Sequence, residues 1–172
     1  MEEDRIVQYE EIRMASEAEK KDRLLKIFNI AMFGLIEGIW DLFGEASFAT
    51  INSIGDKVLQ VIEKEIGFEI KGETPKEILT EINKLLVNEV GTMEAGMVIM
   101  DDSGKVSMAC ERCCLQKATG WLEKEGVQPF ACLPMNIFAA AIRKKTNYKH
   151  KVLGRSWDED SETCVISFQI LS

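Results

Sequence analysis

The chain has 172 residues, 46% of them hydrophobic and 29% charged, which is typical of a soluble globular protein. Its 29 acidic residues outnumber 21 basic ones, and the net charge of −8 argues against nucleic-acid binding, which depends on clustered Lys and Arg. Residues 1–26 are densely charged and show no signal peptide, so we expect a cytoplasmic protein.

The N-terminal part of the chain predicts a charged helical arm followed by an apolar helix. Residues 2–26 alternate acidic and basic groups around a thin apolar stripe, and Ile27–Phe43 is the longest apolar stretch. This stretch is too short and too polar for a membrane span, so we predict a buried helix from about Arg23 to Phe43. Because it is apolar on almost all faces, we expect a homodimer in which the arm or a partner subunit covers it.

Further helices and a small sheet are predicted after Gly44, the expected helix end. Ser47 is a candidate cap for a helix reaching Ile66, and Thr74-Pro75-Lys76-Glu77 is a capping box that opens the next helix. From residue 91 the pattern changes to a hairpin, two helices and two closing strands. These are expected over residues 95–110, 111–125, 130–145, 148–157 and 164–170.

These elements predict an α+β fold, in which N-terminal helices pack on a small antiparallel sheet and two further helices lie between strand pairs. We assign residues 1–90 to a helical arm and scaffold and residues 91–172 to a cysteine-rich sheet-and-helix unit. Both parts are expected to form one compact domain.

The five cysteines carry the most specific signal in the sequence. Cys110, Cys113 and Cys114 lie on one face if the segment is helical, and three soft sulfurs suit zinc or an iron–sulfur cluster. Cys132 stands at a predicted helix start, where amide groups and the helix dipole lower a thiol pKa. We predict that at least three of these four bind one metal ion. If Cys114 points away from Cys113, Cys164 or water is the fourth ligand.

Two other interpretations of the cysteines stay open. Free cysteines are often buried as small hydrophobic residues, and in that case the protein holds no cofactor. Cys132 is also a candidate nucleophile of a hydrolase, whose base would have to be His150, the single histidine. His150 alternates with Tyr148 and Val152, which favours a packed strand residue over a ligand.

Pro129–Cys132 leads into a helix of small residues, and Asp160–Ile166 leads into the last strand. On these features the chain from about Gly91 onward resembles the vinyl-4-reductase domain family, also described as archaeal hydrocarbon-binding proteins. The resemblance implies an α+β fold, dimers, and binding or sensing of small hydrophobic ligands. It also implies a metal or redox role for Cys132 and Cys164, and a related branch contains thiazoline-ring hydrolases.

Together with the methionine-rich hairpin, this resemblance suggests an apolar pocket between sheet and helices, lined by Met97, Met100, Phe138 and Phe168. We therefore predict a cytoplasmic metal- and small-molecule-binding domain whose cysteines form a zinc or redox-responsive site. The alternatives are a cysteine-dependent hydrolase and a dimeric adaptor without catalysis. The sequence favours a binding protein over an enzyme.

Overall fold

The protein is described by a computed structural model over residues 16–128, 130–158 and 160–171. It confirms the predicted α+β fold, with helices packed on a four-stranded antiparallel sheet. The helices are α1 (Glu17–Phe43), α2 (Ile51–Ile66), α3 (Pro75–Lys84), α4 (Gln116–Lys124) and α5 (Leu133–Thr146). The strands are β1 (Ala95–Met100), β2 (Lys105–Glu111), β3 (Lys149–Asp158) and β4 (Thr163–Leu171). A 3-10 helix, Gly44–Thr50, precedes α2, and a π-helical turn, Leu85–Glu89, follows α3.

Local sequence signals place several helix ends. A capping box between Ser16 and Glu19 opens α1, and Gly44, at a φ of 51°, ends it. The predicted box between Thr74 and Glu77 opens α3 with Pro75 in its first turn. The prediction for Ser47 was wrong. This residue is buried inside the 3-10 helix, where its hydroxyl donates to the Ile39 carbonyl, and α2 begins without a side-chain cap.

The sheet has the order β1-β2-β4-β3, so two hairpins meet at the central pair of strands. Val106 and Met108 on β2 point to the same face as Ile166 and Phe168 on β4, and all four are buried. Against this face pack α3 and α5, and α2 packs on α5. The two helices predicted between the strand pairs are α4 and α5. His150 lies on β3 and contacts the Phe168 ring edge-on, with 6.4 Å between the ring centroids.

Helix α1 is much more exposed than the apolar pattern predicted. Only Asn29 and Ile36 are buried along its length, while Leu24 and Leu42 are 65% and 77% exposed. The prediction of a buried helix is therefore wrong for a single chain, because the domain covers only one side of α1. The first part of the predicted arm, with Ile6 and Ile12, lies outside the described residues.

By length and composition, one helical stretch within residues 17–66 of the described chain qualifies as a candidate membrane span, and 11% of its most apolar window is buried. One such helix is weak evidence for a span, because a buried core helix or a signal sequence near the N-terminus passes the same test. This stretch lies near the N-terminus and is not mostly buried, so the test does not distinguish a span from an apolar surface helix.

Candidate metal centre

Four of the five cysteines line one small cavity at the end of the central strand pair. These are Cys110, Cys113, Cys132 and Cys164, and the cavity has a volume of about 20 Å³. A space of this size holds roughly one water-sized atom. Leu133, Pro134, Trp157 and Ile166 complete much of the wall, so the thiols meet in largely apolar surroundings.

The Cys110–Cys113 pair is brought to the cavity by a strand end and a tight turn. Cys110 is the penultimate residue of β2 and is 1% exposed. Arg112 then adopts a positive φ of 46°, and its backbone N–H donates to the Glu162 carbonyl at 3.1 Å. This turn allows Cys113 to line the same cavity as Cys110. The predicted helical face is therefore wrong, because the chain here is strand and turn, and α4 begins only at Gln116.

Cys164 and Cys132 reach the cavity from β4 and from the start of α5. Cys164 lies directly opposite Cys110 in the pairing of β2 with β4, and opposite Trp157 in the pairing of β4 with β3. Cys132 is the N-cap residue of α5, with no side-chain capping hydrogen bond. The register of β4 on β2 therefore brings Cys164 to Cys110 and Cys113, and the start of α5 brings Cys132 to the same place.

Cys114 does not belong to the cavity lining. Its thiol hydrogen-bonds to the Cys113 sulfur, and its backbone is fixed on both sides. The Cys114 N–H donates to the Thr92 carbonyl at 2.8 Å, and the Cys114 carbonyl accepts from the Asn29 side chain at 2.8 Å. Cys114 thus lies beside the cavity and not in its wall, and Cys164 is the fourth thiol around it.

Asn29 ties the cysteine turn to α1 and α4. Its amide nitrogen donates to the carbonyls of Leu25 and Cys114, and its amide oxygen accepts from the Ala118 N–H at 3.0 Å. The residue is 1% exposed, so these bonds form away from water, where an unpaired group would be costly. Asn29 therefore holds the residues next to Cys113 in place.

The thiols have unequal acidities in the metal-free protein. Burial raises the pKa of Cys110 and of Cys164, the latter to about 11. The hydrogen bond from the Cys114 thiol, aided by the Leu115 N–H, lowers the pKa of Cys113 to about 7 and so favours its thiolate. The same hydrogen bond raises the pKa of Cys114.

The prediction that the helix start would lower the pKa of Cys132 was wrong. The nearby Met135 backbone N–H does act in that direction, but burial and the nearby Cys164 sulfur outweigh it. The pKa of Cys132 is raised to about 12 as a result. Desolvation disfavours a thiolate more strongly here than the first turn of α5 favours it.

A buried cation lies next to the cysteines. The side chain of Arg155 is 6% exposed and lines a second small cavity that it shares with Cys132. A guanidinium nitrogen of Arg155 lies 3.6 Å from a Glu123 carboxylate oxygen, a distance too long for a hydrogen bond. The positive charge of Arg155 acts on both Cys132 and Cys164 and favours their thiolates. Sequence reasoning missed this residue, because only the fold places it beside the thiols.

A ligand geometry for a metal ion is not preformed. Within the part of the chain that the structure describes, no three His, Cys, Asp or Glu side chains already form a group that would hold an ion. The donor set nevertheless fits, because four thiols around a cavity of single-ion size match the tetrahedral sulfur sites of zinc and iron.

Comparison with known families identifies the family of this domain. The model of the family RdxA_C, described as "Putative rubredoxin C-terminal domain", matches residues 27–170. The chain belongs to this family. The match runs from within α1 into β4, so most of the helical part and the sheet belong to one family unit. A search of curated proteins found no match to this chain.

Membership in the rubredoxin C-terminal domain family corrects the vinyl-4-reductase resemblance, which was wrong. The segments Pro129–Cys132 and Asp160–Ile166, on which the resemblance rested, lie inside the region that the rubredoxin C-terminal family accounts for. The hydrocarbon ligand and the thiazoline hydrolase branch depended on that resemblance and lose their support with it. A family related to rubredoxin is consistent with a metal or redox role. The family description states that the domain is C-terminal, and it names no ligand.

The structure separates the residues predicted to line an apolar pocket. Phe138 and Phe168 are both buried in the core. Met100 and Met97 are an odd number of positions apart on β1, so their side chains leave the sheet on opposite faces. Met97 is 58% exposed on the face away from the core.

Proposed function

We propose that Cys110, Cys113, Cys132 and Cys164 bind one iron or zinc ion. The observation that carries this proposal is the cavity of about 20 Å³ that all four thiols line. A space for one atom favours a single ion over an iron–sulfur cluster, which needs room for several irons and sulfides. The relation to rubredoxin favours iron, and zinc is the alternative.

The four residues would supply a complete sulfur ligand set. Iron held by four thiolates supplies one-electron transfer, whereas zinc would be redox-inert and structural. Cys113, whose thiol is the most acidic of the four, offers the first thiolate. The remaining thiols lose their protons as they bind, since thiolates and not thiols are metal ligands.

Arg155 supports an anionic centre at this place. A buried guanidinium is unfavourable unless negative charge lies near it. The Glu123 carboxylate, 44% exposed and 3.6 Å away, forms an ion pair with Arg155 without a hydrogen bond, so it supplies only part of that charge. Four thiolates around a divalent ion carry a net charge of −2, which Arg155 would partly offset. The five free cysteines are in keeping with a reducing compartment such as the cytoplasm.

A second candidate function is a dithiol switch without metal. Cys110 and Cys164 face each other directly across β2 and β4, a placement that favours a disulfide between them. Formation of that S–S bond would release two protons and pass two electrons to a small disulfide oxidant, which is reduced to two thiols.

Metal analysis of anaerobically purified protein separates these functions. We expect about one iron or zinc per chain, and large losses in the variants Cys110→Ser, Cys113→Ser, Cys132→Ser and Cys164→Ser. Cys114→Ser is the matched control and should retain the metal, because Cys114 lies outside the cavity lining. Cobalt substitution provides an independent readout, since its visible bands report a tetrahedral thiolate set.

Two results would contradict the metal site. One is a metal-free protein that also fails to bind added iron, zinc or cobalt under reducing conditions. The other is equal metal loss in Cys114→Ser and Cys164→Ser. A metal-free protein that forms a Cys110–Cys164 disulfide with oxidised glutathione, seen by mass spectrometry, would instead support the switch.

A further inference from the structure

The exposed side of α1 carries a regular seam of apolar and small residues. Positions 24, 28, 31, 35, 38 and 42 follow one another at alternating intervals of four and three, and every one of them is exposed. This spacing is the heptad pattern that places residues along the contact line of two packed helices. The seam consists of Leu24, Phe28, Ala31, Leu35, Gly38 and Leu42.

The seam lies on roughly the opposite side of α1 from the stripe that packs on the domain. That inner stripe contains Asn29, Phe33, Ile36 and Trp40, with Phe33 edge-on to Trp121 at 5.8 Å between ring centroids. Because the described residues of the chain pack on the inner stripe, the seam is a second apolar face. A face of this kind on a soluble protein marks an interaction site.

The seam is complementary to itself when a second copy runs antiparallel. A twofold axis near Phe33 sets Leu24 opposite Leu42 of the second copy, and Ala31 opposite Leu35. The bulky Phe28 then meets Gly38, where a Cβ atom added to the glycine would find no heavy atom of the described residues within 4 Å, apart from the backbone of α1 itself. Large residues thus face small ones at the centre of the seam, as close helix packing requires.

The charges at the two ends of α1 also select the antiparallel arrangement. Residues 20–26 carry four basic side chains and one acidic one, whereas residues 37–45 carry three acidic side chains and no basic one. An antiparallel pair brings the basic end of each helix to the acidic end of the other. A parallel pair would set like charges together and be disfavoured.

We propose that α1 is the interface of a homodimer, in which it packs antiparallel against α1 of a second copy along this seam. We infer a second copy of this chain as the partner because the seam is complementary to itself in both shape and charge. Binding to an unrelated protein would not require this self-complementarity. The interface does not depend on the metal centre, since none of the seam residues lines the cysteine cavity.

The oligomeric state of the full chain tests the interface. Sedimentation analysis at micromolar concentration should give a dimer, and Leu35→Glu should raise the dimer Kd by at least about 100-fold, because the carboxylate would be buried without a partner. Val61→Glu is the matched control: Val61 is an equally exposed apolar residue, 58% against 58% for Leu35, on a different helix. Gly38→Met gives a second check, since it leaves the single chain unstrained but fills the space for Phe28 of the second copy.

Charge reversal tests whether the two α1 helices run antiparallel. Lys20→Glu with Lys21→Glu should weaken the dimer, and adding Asp41→Lys with Glu45→Lys should restore it, whereas a parallel pair would show no such restoration.

A distance measurement tests the same arrangement. A spin label at position 21, attached through a non-cysteine handle, should lie roughly 35 Å from its copy, the axial distance of an antiparallel pair. A monomer, a label distance near the helix diameter, or binding to phosphatidylglycerol vesicles that Leu35→Glu abolishes would each overturn the proposal.

Discussion

Asn29 is a single polar side chain on the apolar inner stripe of α1, and it makes three hydrogen bonds there. Two of them reach outside its own helix, to the Cys114 carbonyl and the Ala118 N–H. The sequence marks Asn29 only as a polar interruption of an apolar stretch. Its role appears when the cysteine turn is placed beside α1.

We expect Asn29→Leu to lower the free energy of unfolding by about 2–3 kcal/mol, because it leaves a buried N–H and a buried carbonyl without partners. Urea unfolding measures this loss. Asn88→Leu is the control, since Asn88 is exposed and near the end of a helical segment. An Asn29→Leu protein as stable as the control variant would show that water replaces the lost bonds.

His150 provides a pH-dependent contribution to stability. Burial, together with the positive charge of Arg143, lowers the pKa of His150 below its usual value of 6.5. The unfolded chain therefore binds this proton more readily than the folded one, so stability is lost as the pH falls through about 6.5. The loss is complete once the pH is below the folded pKa.

Urea midpoints measured between about pH 5 and pH 8 should show this decrease towards acid. In His150→Gln the slope near pH 6.5 should flatten, because His150 is the single histidine of the chain. An unchanged slope in the variant would assign the pH dependence to other groups.

Alanine substitution at two helical glycines is expected to change the stability of the protein in opposite directions. At Gly55 on α2, an added Cβ would lie 2.2 Å from the Asn136 carbonyl oxygen of α5, so the two helices approach too closely for a side chain. We expect Gly55→Ala to destabilise the protein by about 1–3 kcal/mol through overpacking. At Gly120 on α4, an added Cβ would meet no heavy atom of the described residues within 4 Å beyond the backbone of its own helix, and Gly120→Ala should stabilise by about 0.5–1 kcal/mol.

Thermal unfolding of both glycine variants checks the pair. The two substitutions add the same methyl group to a helix, so a difference in sign isolates the packing of α2 on α5 from helix propensity. If Gly55→Ala proved as stable as Gly120→Ala, α2 and α5 would have to be farther apart than the structure places them.

The elements that sequence reasoning predicted well depend on local signals. The box at Thr74 and the helix ends at Gly44 and Gly67 need only a few neighbouring residues to form. The helix expected from Cys110 failed because β2 pairs with β4 up to Glu111, and Arg112 turns the chain. Local propensity there was overridden by a strand more than fifty residues away in sequence.

The same distinction applies to the candidate site. The Cys110–Cys113 spacing was visible in the sequence, and so was the chance that Cys114 stands outside the set. Cys164 was predicted only as an alternative fourth ligand, because its place beside Cys110 depends on the register of two strands. The exposure of α1 was missed for a related reason. An apolar sequence predicts that a helix is covered, but it does not show whether the same chain or a partner covers it.

We expect the affinity of the protein for a metal ion to depend strongly on pH. At pH 7 Cys110, Cys132 and Cys164 are protonated in the metal-free protein, and Cys113, with a pKa of about 7, is half ionised. Binding of one ion by all four therefore releases roughly 3.5 protons, and affinity rises steeply with pH.

Calorimetric titration with zinc in buffers of different ionisation enthalpy measures this number directly. In Cys114→Ala the pKa of Cys113 should rise, since its main stabilising hydrogen bond is gone, and proton release should approach four. Release of two protons or fewer would mean that only part of the ligand set binds.

The strand order β1-β2-β4-β3 has a consequence for the folding kinetics. Each hairpin closes locally, but joining β2 to β4 brings together residues that are 54 positions apart, such as Cys110 and Cys164. Closing a loop of that length costs about 3.5 kcal/mol of chain entropy, which makes the docking of the two hairpins a late and slow step. The cysteine cavity lies on this joint, so it does not exist in either hairpin alone. An ion that needs all four thiols would therefore be captured only after the transition state for docking has been crossed.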